Sequence, residues 1–299
     1  MQGYLHPLYA QSFLEIGEPI FLPNARGWLI KRQIPGTSQF DAMGPYPLFF
    51  CEAWEELPRD LDSLREDLVS VSLVIPPQVV FPFDNYQSYF ETFFPYKDHY
   101  LLDLTLPLNE VISKGRRKDA RRALRNIEIE VVTSPNIDLK EWCQIYDNLI
   151  LKHNIRGVRR FSENSFKSQL SIPGMHFIRA FHNSELVGGS LYLEQGDCVF
   201  FHLSAFSEEG YNLDAAYAVK WVALEFFKDK VRWMNLGGST TKAKGQFSGL
   251  DQFKKGWSSE TAKSFFCGKI INQVRYNEII QRKENSNNDW FPAYRAGDY

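Results

Sequence analysis

At 299 residues, 44% hydrophobic and 23% charged, the chain has the composition of an ordinary soluble globular protein, long enough for two domains or one large one. A net charge of −2 excludes a polycation that binds nucleic acid over its whole surface, so any basic function must be local. Aromatics reach 15%, which points to aromatic-rich cores and stacking surfaces in a cleft.

In chain order, GWLIKRQI (Gly27–Ile34) reads as a strand and QFDAMGPYPLFF (Gln39–Phe50) as a strand and turn. EELPRDLDSLREDLVS (Glu55–Ser70) reads as a helix, with Leu57, Leu61, Leu64 and Leu68 on one face. VSLVIPPQVVFPF (Val71–Phe83) is a strand broken by Pro76 and Pro77. Asn85–Phe94 reads as helical, and HYLLDLTLPL (His99–Leu108) returns to strand. From Ser113 the character changes. KGRRKDARRALRN (Lys114–Asn126) is a basic helix and IEIEVV (Ile127–Val132) alternates like a strand. A helix with Leu139, Trp142, Tyr146, Leu149 and Ile150 at helical spacing follows, fronted by a capping box of Asp138 and Glu141.

HFIRAFH, ELVGGSLYLEQ and CVFFHLSAF are separated by Asn183-Ser184 and Gly196-Asp197, which predicts a three-stranded antiparallel meander. Asn212–Lys230 is a long helix and VRWMNL a strand. The loop NLGGSTTKAKGQFSGLDQFKKGW (Asn235–Trp257) leads to a strand, TAKSFFCGKII, and a closing helix, NQVRYNEIIQRKE. The tail from 284 to 299 is polar and expected to be loosely held.

Cys51, Cys143, Cys198 and Cys267 are far apart and form no CxxC pair, which argues for buried free thiols rather than a zinc ribbon or a disulfide scaffold. The N-terminus lacks the basic start and apolar core of a signal peptide, and no apolar run approaches the roughly 20 residues of a membrane span. These features together predict a reducing, cytoplasmic setting.

The basic helix, the ELVGGSLYLEQGDCVFFHLSA meander, the strand ending in NLGG and the GLDQFKKGW stretch together resemble the Fem-like peptidyltransferases of the GNAT superfamily. The resemblance covers roughly Ser113 to Ile271; before it, RQIPG…DAMGPYPLF matches only loosely. It implies a mixed α/β fold of two fused GNAT-like lobes, residues 1–112 and 113–283, each a mixed sheet flanked by helices. It implies transfer of an acyl or aminoacyl group to an amine on a sugar- or peptide-containing acceptor, with no permanently bound cofactor. The donor would be aminoacyl-tRNA or acyl-CoA, so tRNA is a candidate partner beside a small-molecule, glycan or peptide acceptor.

Seven of the twelve residues from Lys114 to Arg125 are Lys or Arg, and Arg117, Arg121 and Arg125 share a face with Lys114 and Lys118 beside them. That face suits phosphates, or is a solvated surface balanced by acids elsewhere. The FSEEGYNLDAA loop departs from a CoA-binding turn: it has one glycine, Gly210, and two acids, Glu208 and Glu209, that would oppose a pyrophosphate. That loop puts CoA in doubt and supports a catalytically inactive GNAT-like binding module as one alternative; a CoA-dependent N-acetyltransferase in polysaccharide or natural-product synthesis stands as the other.

Gly237 and Gly238 let the backbone turn or admit a ligand closely, but the spacing fits neither a P-loop nor a dinucleotide fingerprint. With the resemblance, Lys254 becomes the candidate for stabilising an oxyanion, or else a snorkelling surface lysine. His202 is the candidate base, or a core histidine. Asp41 and Tyr46, and with them Trp28, Lys31 and Arg32, are candidate acceptor contacts from the first lobe; His153 and Arg156 are equally open. No HExxH or GxSxG motif occurs, and no residue pattern makes a case for a metal.

Overall fold

The computed structural model describes residues 1–77, 79, 86–133, 139–240, 248–282 and 290–296. Its strands are β1 (Glu18–Leu22), β2 (Gly27–Gln33), β3 (Phe40–Met43), β4 (Ser70–Ile75), β5 (Thr92–Asp103), β6 (Glu128–Val132), β7 (Met175–His182), β8 (Glu185–Gln195), β9 (Cys198–Phe206), β10 (Trp233–Gly238) and β11 (Glu260–Ile270). They form one mixed sheet in the order β1-β2-β3-β4-β11-β5-β10-β9-β8-β7-β6. Among the described residues only β3/β4 and β9/β10 pair in parallel.

The helices are α1 (Pro7–Gln11), α2 (Leu57–Ser63), α3 (Leu108–Val111), α4 (Lys114–Ala123), α5 (Leu139–His153), α6 (Glu163–Leu170), α7 (Glu208–Asn212), α8 (Ala215–Phe227), α9 (Gly249–Lys255) and α10 (Gln273–Arg282). On one face, α4 and α8 bury Ala120, Ala123, Val219 and Phe227 against Tyr100, Leu102 and Met234. On the other, α1, α5 and α6 bury Tyr9, Trp142, Tyr146 and Phe166 against Phe177 and Phe200. The apolar periodicity of α5 and α8 therefore supplies two separate cores, one on each side of the same strands.

The meander β7–β8–β9 lies where the alternation predicts. Its first turn is made by Asn183 and Ser184 at φ of 50° and 68°, the left-handed pair that a two-residue hairpin needs. All four cysteines are free; three are buried and Cys143 is half-buried.

Three local expectations fail. The helix over 85–94 is instead a short 3₁₀ turn, Tyr86–Tyr89, followed by β5 from Thr92. Here pairing overrides local pattern: Phe93 and Phe94 face Cys267 and Phe266 of β11, and Phe94 stacks on Phe266. The helix over 55–70 is cut to α2, with β4 starting at Ser70. The end of the tail is not loose. Tyr294 and Arg295 are buried, and Arg295 clamps Asp41 with bonds of 2.6 and 2.9 Å. Asp138 of the expected capping box, residues 78 and 80–83 of the expected strand, most of the 239–247 loop and residues 284–289 of the tail lie outside the described residues.

Candidate active site

The parallel pairing of β10 with β9 covers only Trp233–Asn235 against Cys198–Phe200. Past it β9 runs on to Phe206 and β10 to Gly238 without pairing with each other, so the two strands part at Asn235. On its other edge β10 carries a bulge. Asn235 faces Leu101 of β5 but Gly238 faces His99, so three steps on β10 match two on β5. Gly237, in the bulge, has φ of 85°, a conformation that selects glycine.

Helix α9 delivers Lys254 to this point. Ser248 and Asp251 form a capping box at its start, and Thr240 donates to Asp251 through both its N–H and its hydroxyl. Arg116 of α4 holds the other side, donating to the Tyr217 hydroxyl at 2.7 Å and to the Gln252 carbonyl at 3.2 Å. Lys254 is only 8% exposed, and its ammonium donates to the Gly238 carbonyl at 2.7 Å. A Cβ on Gly237 would lie 3.3 Å from the Lys254 Nζ. Burial lowers the Lys254 pKa to about 8; the Asp251 carboxylate opposes the shift and Lys97 adds to it.

A second group reaches the same two glycines. His99, on β5, is 5% exposed. Its Nδ1 lies 3.1 Å from Asn235 Oδ1, and a Cβ on Gly238 would lie 3.2 Å from its Nε2. Burial lowers the His99 pKa to about 4; the bond to Asn235 opposes this, and Lys254 and Lys97 reinforce it. At neutral pH the site therefore pairs a protonated amine with a neutral imidazole.

Behind them, Lys220 of α8 is 2% exposed. Its Nζ sits 3.4 Å from the Phe201 ring centre and 5.0 Å from that of Tyr192, with no hydrogen-bond partner among the described residues. Burial, with Lys254 nearby, holds its pKa well below the usual lysine value.

Of the residues singled out from sequence, Lys254, Gly237 and Gly238 come together here. His202 does not join them. It lies in the opposite core, with Nδ1 3.1 Å from the Tyr4 hydroxyl and Nε2 3.0 Å from Gln169 Oε1, so both ring nitrogens are engaged. Asp41 is fully buried between Arg295 and Arg32. Tyr46 is half-buried; its carbonyl accepts from the Tyr9 hydroxyl, and its ring lies 6.4 Å from that of Phe161.

On α4, Lys114 and Arg121 are exposed and Arg117 is half-buried. Arg117 and Arg121 border an open cavity of about 480 Å³ that Trp221, Glu225, Lys228 and Asp229 also line. Trp28 donates to the Leu5 carbonyl, and the Lys31 ammonium lies over the Phe40 ring. His99, Asn235 and Lys220 were not singled out in the sequence. His99 and Asn235 are 136 residues apart, and no spacing joins them.

No protein-family model and no curated protein matches the chain. Solved structures do. The C-terminal domain of a putative lysylphosphatidylglycerol synthetase from Agrobacterium fabrum superposes with a TM-score of 0.65 at 14% identity, over 92% of this chain and 89% of that one. FemX superposes with a TM-score of 0.66 at 12% identity, over 91% and 93%. L-PGS from Bacillus licheniformis superposes with a TM-score of 0.62 at 14% identity, over 93% and 96%. At these identities the match is one of fold over nearly the whole chain: the chain has the mixed α/β fold that FemX shares with the lysylphosphatidylglycerol synthetase domain.

Proposed function

We propose that this protein is an acyltransferase that moves an acyl or aminoacyl group to an amine, with Lys254 stabilising the oxyanion. One observation carries the reading. On a fold shared with FemX and a lysylphosphatidylglycerol synthetase domain, a desolvated ammonium sits at a glycine pair where two parallel strands part. Attack on an ester or thioester carbonyl puts negative charge on its oxygen. A cation already held in a partly dry site stabilises that charge without having to reorganise. In this reading residues 1–112 and 113–283 act as two lobes that share one sheet, with β11 of the second paired between β4 and β5 of the first.

The preferred donor is aminoacyl-tRNA. The first turn of α7 offers little to a pyrophosphate: Ser207 already caps the Gly210 N–H at 3.1 Å, and Glu208 and Glu209 flank it. A Cβ at Gly210 would lie 2.3 Å from the Val187 carbonyl, so the backbone there is packed against β8 rather than open to a ligand. The exposed cations of α4 are the tRNA-facing surface in this reading.

Titration with acetyl-CoA by calorimetry, beside filter binding of an aminoacyl-tRNA pool, tests the donor. Micromolar acetyl-CoA binding with no tRNA retention would reverse the preference. Binding of neither would favour an inactive module.

A further inference from the structure

We propose that His99 is the general base of this site, held by Asn235 so that its Nε2 lone pair faces the acceptor amine. The inference rests on the acyl-transfer reading and adds a catalytic residue to it.

The tautomer follows from the hydrogen bonds. The Gly237 backbone N–H, which can only donate, bonds an Asn235 side-chain atom at 2.8 Å, so that atom is the carbonyl oxygen, Oδ1. The same oxygen lies 3.1 Å from His99 Nδ1, so Nδ1 must carry the proton and donate. In a neutral ring that leaves Nε2 bare. Nε2 has no hydrogen-bond partner among the described residues and faces Gly238, where a Cβ would lie 3.2 Å from it and 3.1 Å from Lys97 Cδ. Asn235 Nδ2 is also buried without a partner there, so Asn235 is oriented by its oxygen alone.

The ionisable groups facing the ring are Lys97 and Asp98 on β5 and Lys254 on α9; burial keeps the ring neutral, and Lys254 and Lys97 reinforce it while Asp98 opposes. Glycine at 238 then has a chemical reason. Any side chain would cover Nε2, and one at 237 would crowd the Lys254 ammonium.

The step balances. A neutral acceptor amine adds to the donor carbonyl, forming the C–N bond, and the carbonyl oxygen takes the negative charge beside Lys254. The nitrogen, now cationic and acidic, gives its proton to Nε2. The C–O or C–S bond of the donor breaks, and the imidazolium returns the proton to the leaving oxygen or sulfur. Burial, reinforced by Lys254 and Lys97, makes the imidazolium more acidic than a free one, which favours that return.

Two measurements test this. In protein labelled with ¹⁵N-histidine at pH 7, the signals lost in His99→Gln should show a protonated Nδ1 and a bare Nε2; Asn235→Ala should shift protonation toward Nε2. With a donor that the wild type turns over, and hydroxylamine as acceptor, His99→Gln should lower kcat about a hundredfold or more and change KM less than twofold. Added imidazole should restore part of the rate to His99→Ala. A protonated Nε2 in the wild type, an undiminished kcat in His99→Gln, or a folded His99→Ala that imidazole does not rescue would each overturn the role. If the wild type transfers no acyl group from either donor, the acyl-transfer reading fails and the catalytic role falls with it. The tautomer would remain readable, which separates the two failures.

Discussion

Replacing Lys220 by Met should stabilise the protein at neutral pH. Two effects compete at this residue. A charged Lys220 would gain a cation–π contact with Phe201, about 2 kcal/mol in a dry setting. Holding an ammonium there with no hydrogen-bond partner among the described residues costs several kcal/mol, so burial drives its pKa down. A neutral amine without a partner still costs about 1–3 kcal/mol, and Met fills the same volume without it. At roughly 2 °C per kcal/mol for a chain of this size, removing the unpartnered amine alone should raise Tm by about 2–6 °C, and relief of the cost of giving up the proton adds to that rise at every pH below the unfolded value.

The sign of the pH dependence follows from linkage. The folded pKa lies below the unfolded value, so between them unfolding takes up a proton and the wild type gains stability as pH rises. The penalty is largest at low pH and fades as pH approaches the unfolded lysine value of about 10.4. Scanning calorimetry of both proteins from pH 6 to 10 reads the gap, which should narrow as pH rises. A Met variant less stable than the wild type at pH 7, or a gap independent of pH, would refute the reasoning.

Three further outcomes follow. Gly238→Ala places a Cβ 3.2 Å from His99 Nε2 and 3.1 Å from Lys97 Cδ; transfer activity should fall at least about tenfold while circular dichroism stays native. Asp41→Ala strands the buried Arg295 and should cost about 3–5 kcal/mol in urea unfolding, the signature of a structural ion pair rather than of a substrate contact. Arg117→Glu with Arg121→Glu should weaken tRNA retention and flatten its dependence on log salt by roughly 1.5–2, if the α4 face holds phosphates.

The second half of the fold is largely legible in the chain, because its signals are local. Turn residues sit at Asn183-Ser184, α4 starts at a Ser113 cap, and α8 has long apolar periodicity. Lys254 is reached differently: the resemblance of GLDQFKKGW to the Fem-like family singles it out, and its spacing alone does not. The placement of β11 between β4 and β5 is not legible, since it depends on partners some 160 to 200 residues away. The same distance hides His99, an unremarkable residue in HYLLDL until the β10 bulge brings Asn235 to it. His202 shows the converse. A histidine in an apolar strand looks available in sequence, yet Tyr4 and Gln169 engage both its nitrogens.

The most direct measurement is the rate at which the protein moves a ¹⁴C-labelled aminoacyl group from an aminoacyl-tRNA pool, or the acetyl group from acetyl-CoA, to hydroxylamine, for wild type and Lys254→Met between pH 6 and 9.5. The account predicts transfer above the uncatalysed rate with one of the donors, a fall in the wild-type rate as pH passes about 8 and Lys254 loses its proton, and at least a tenfold loss in the folded Met variant. A folded Lys254→Met that transfers as fast as the wild type, with the same pH profile, would contradict it.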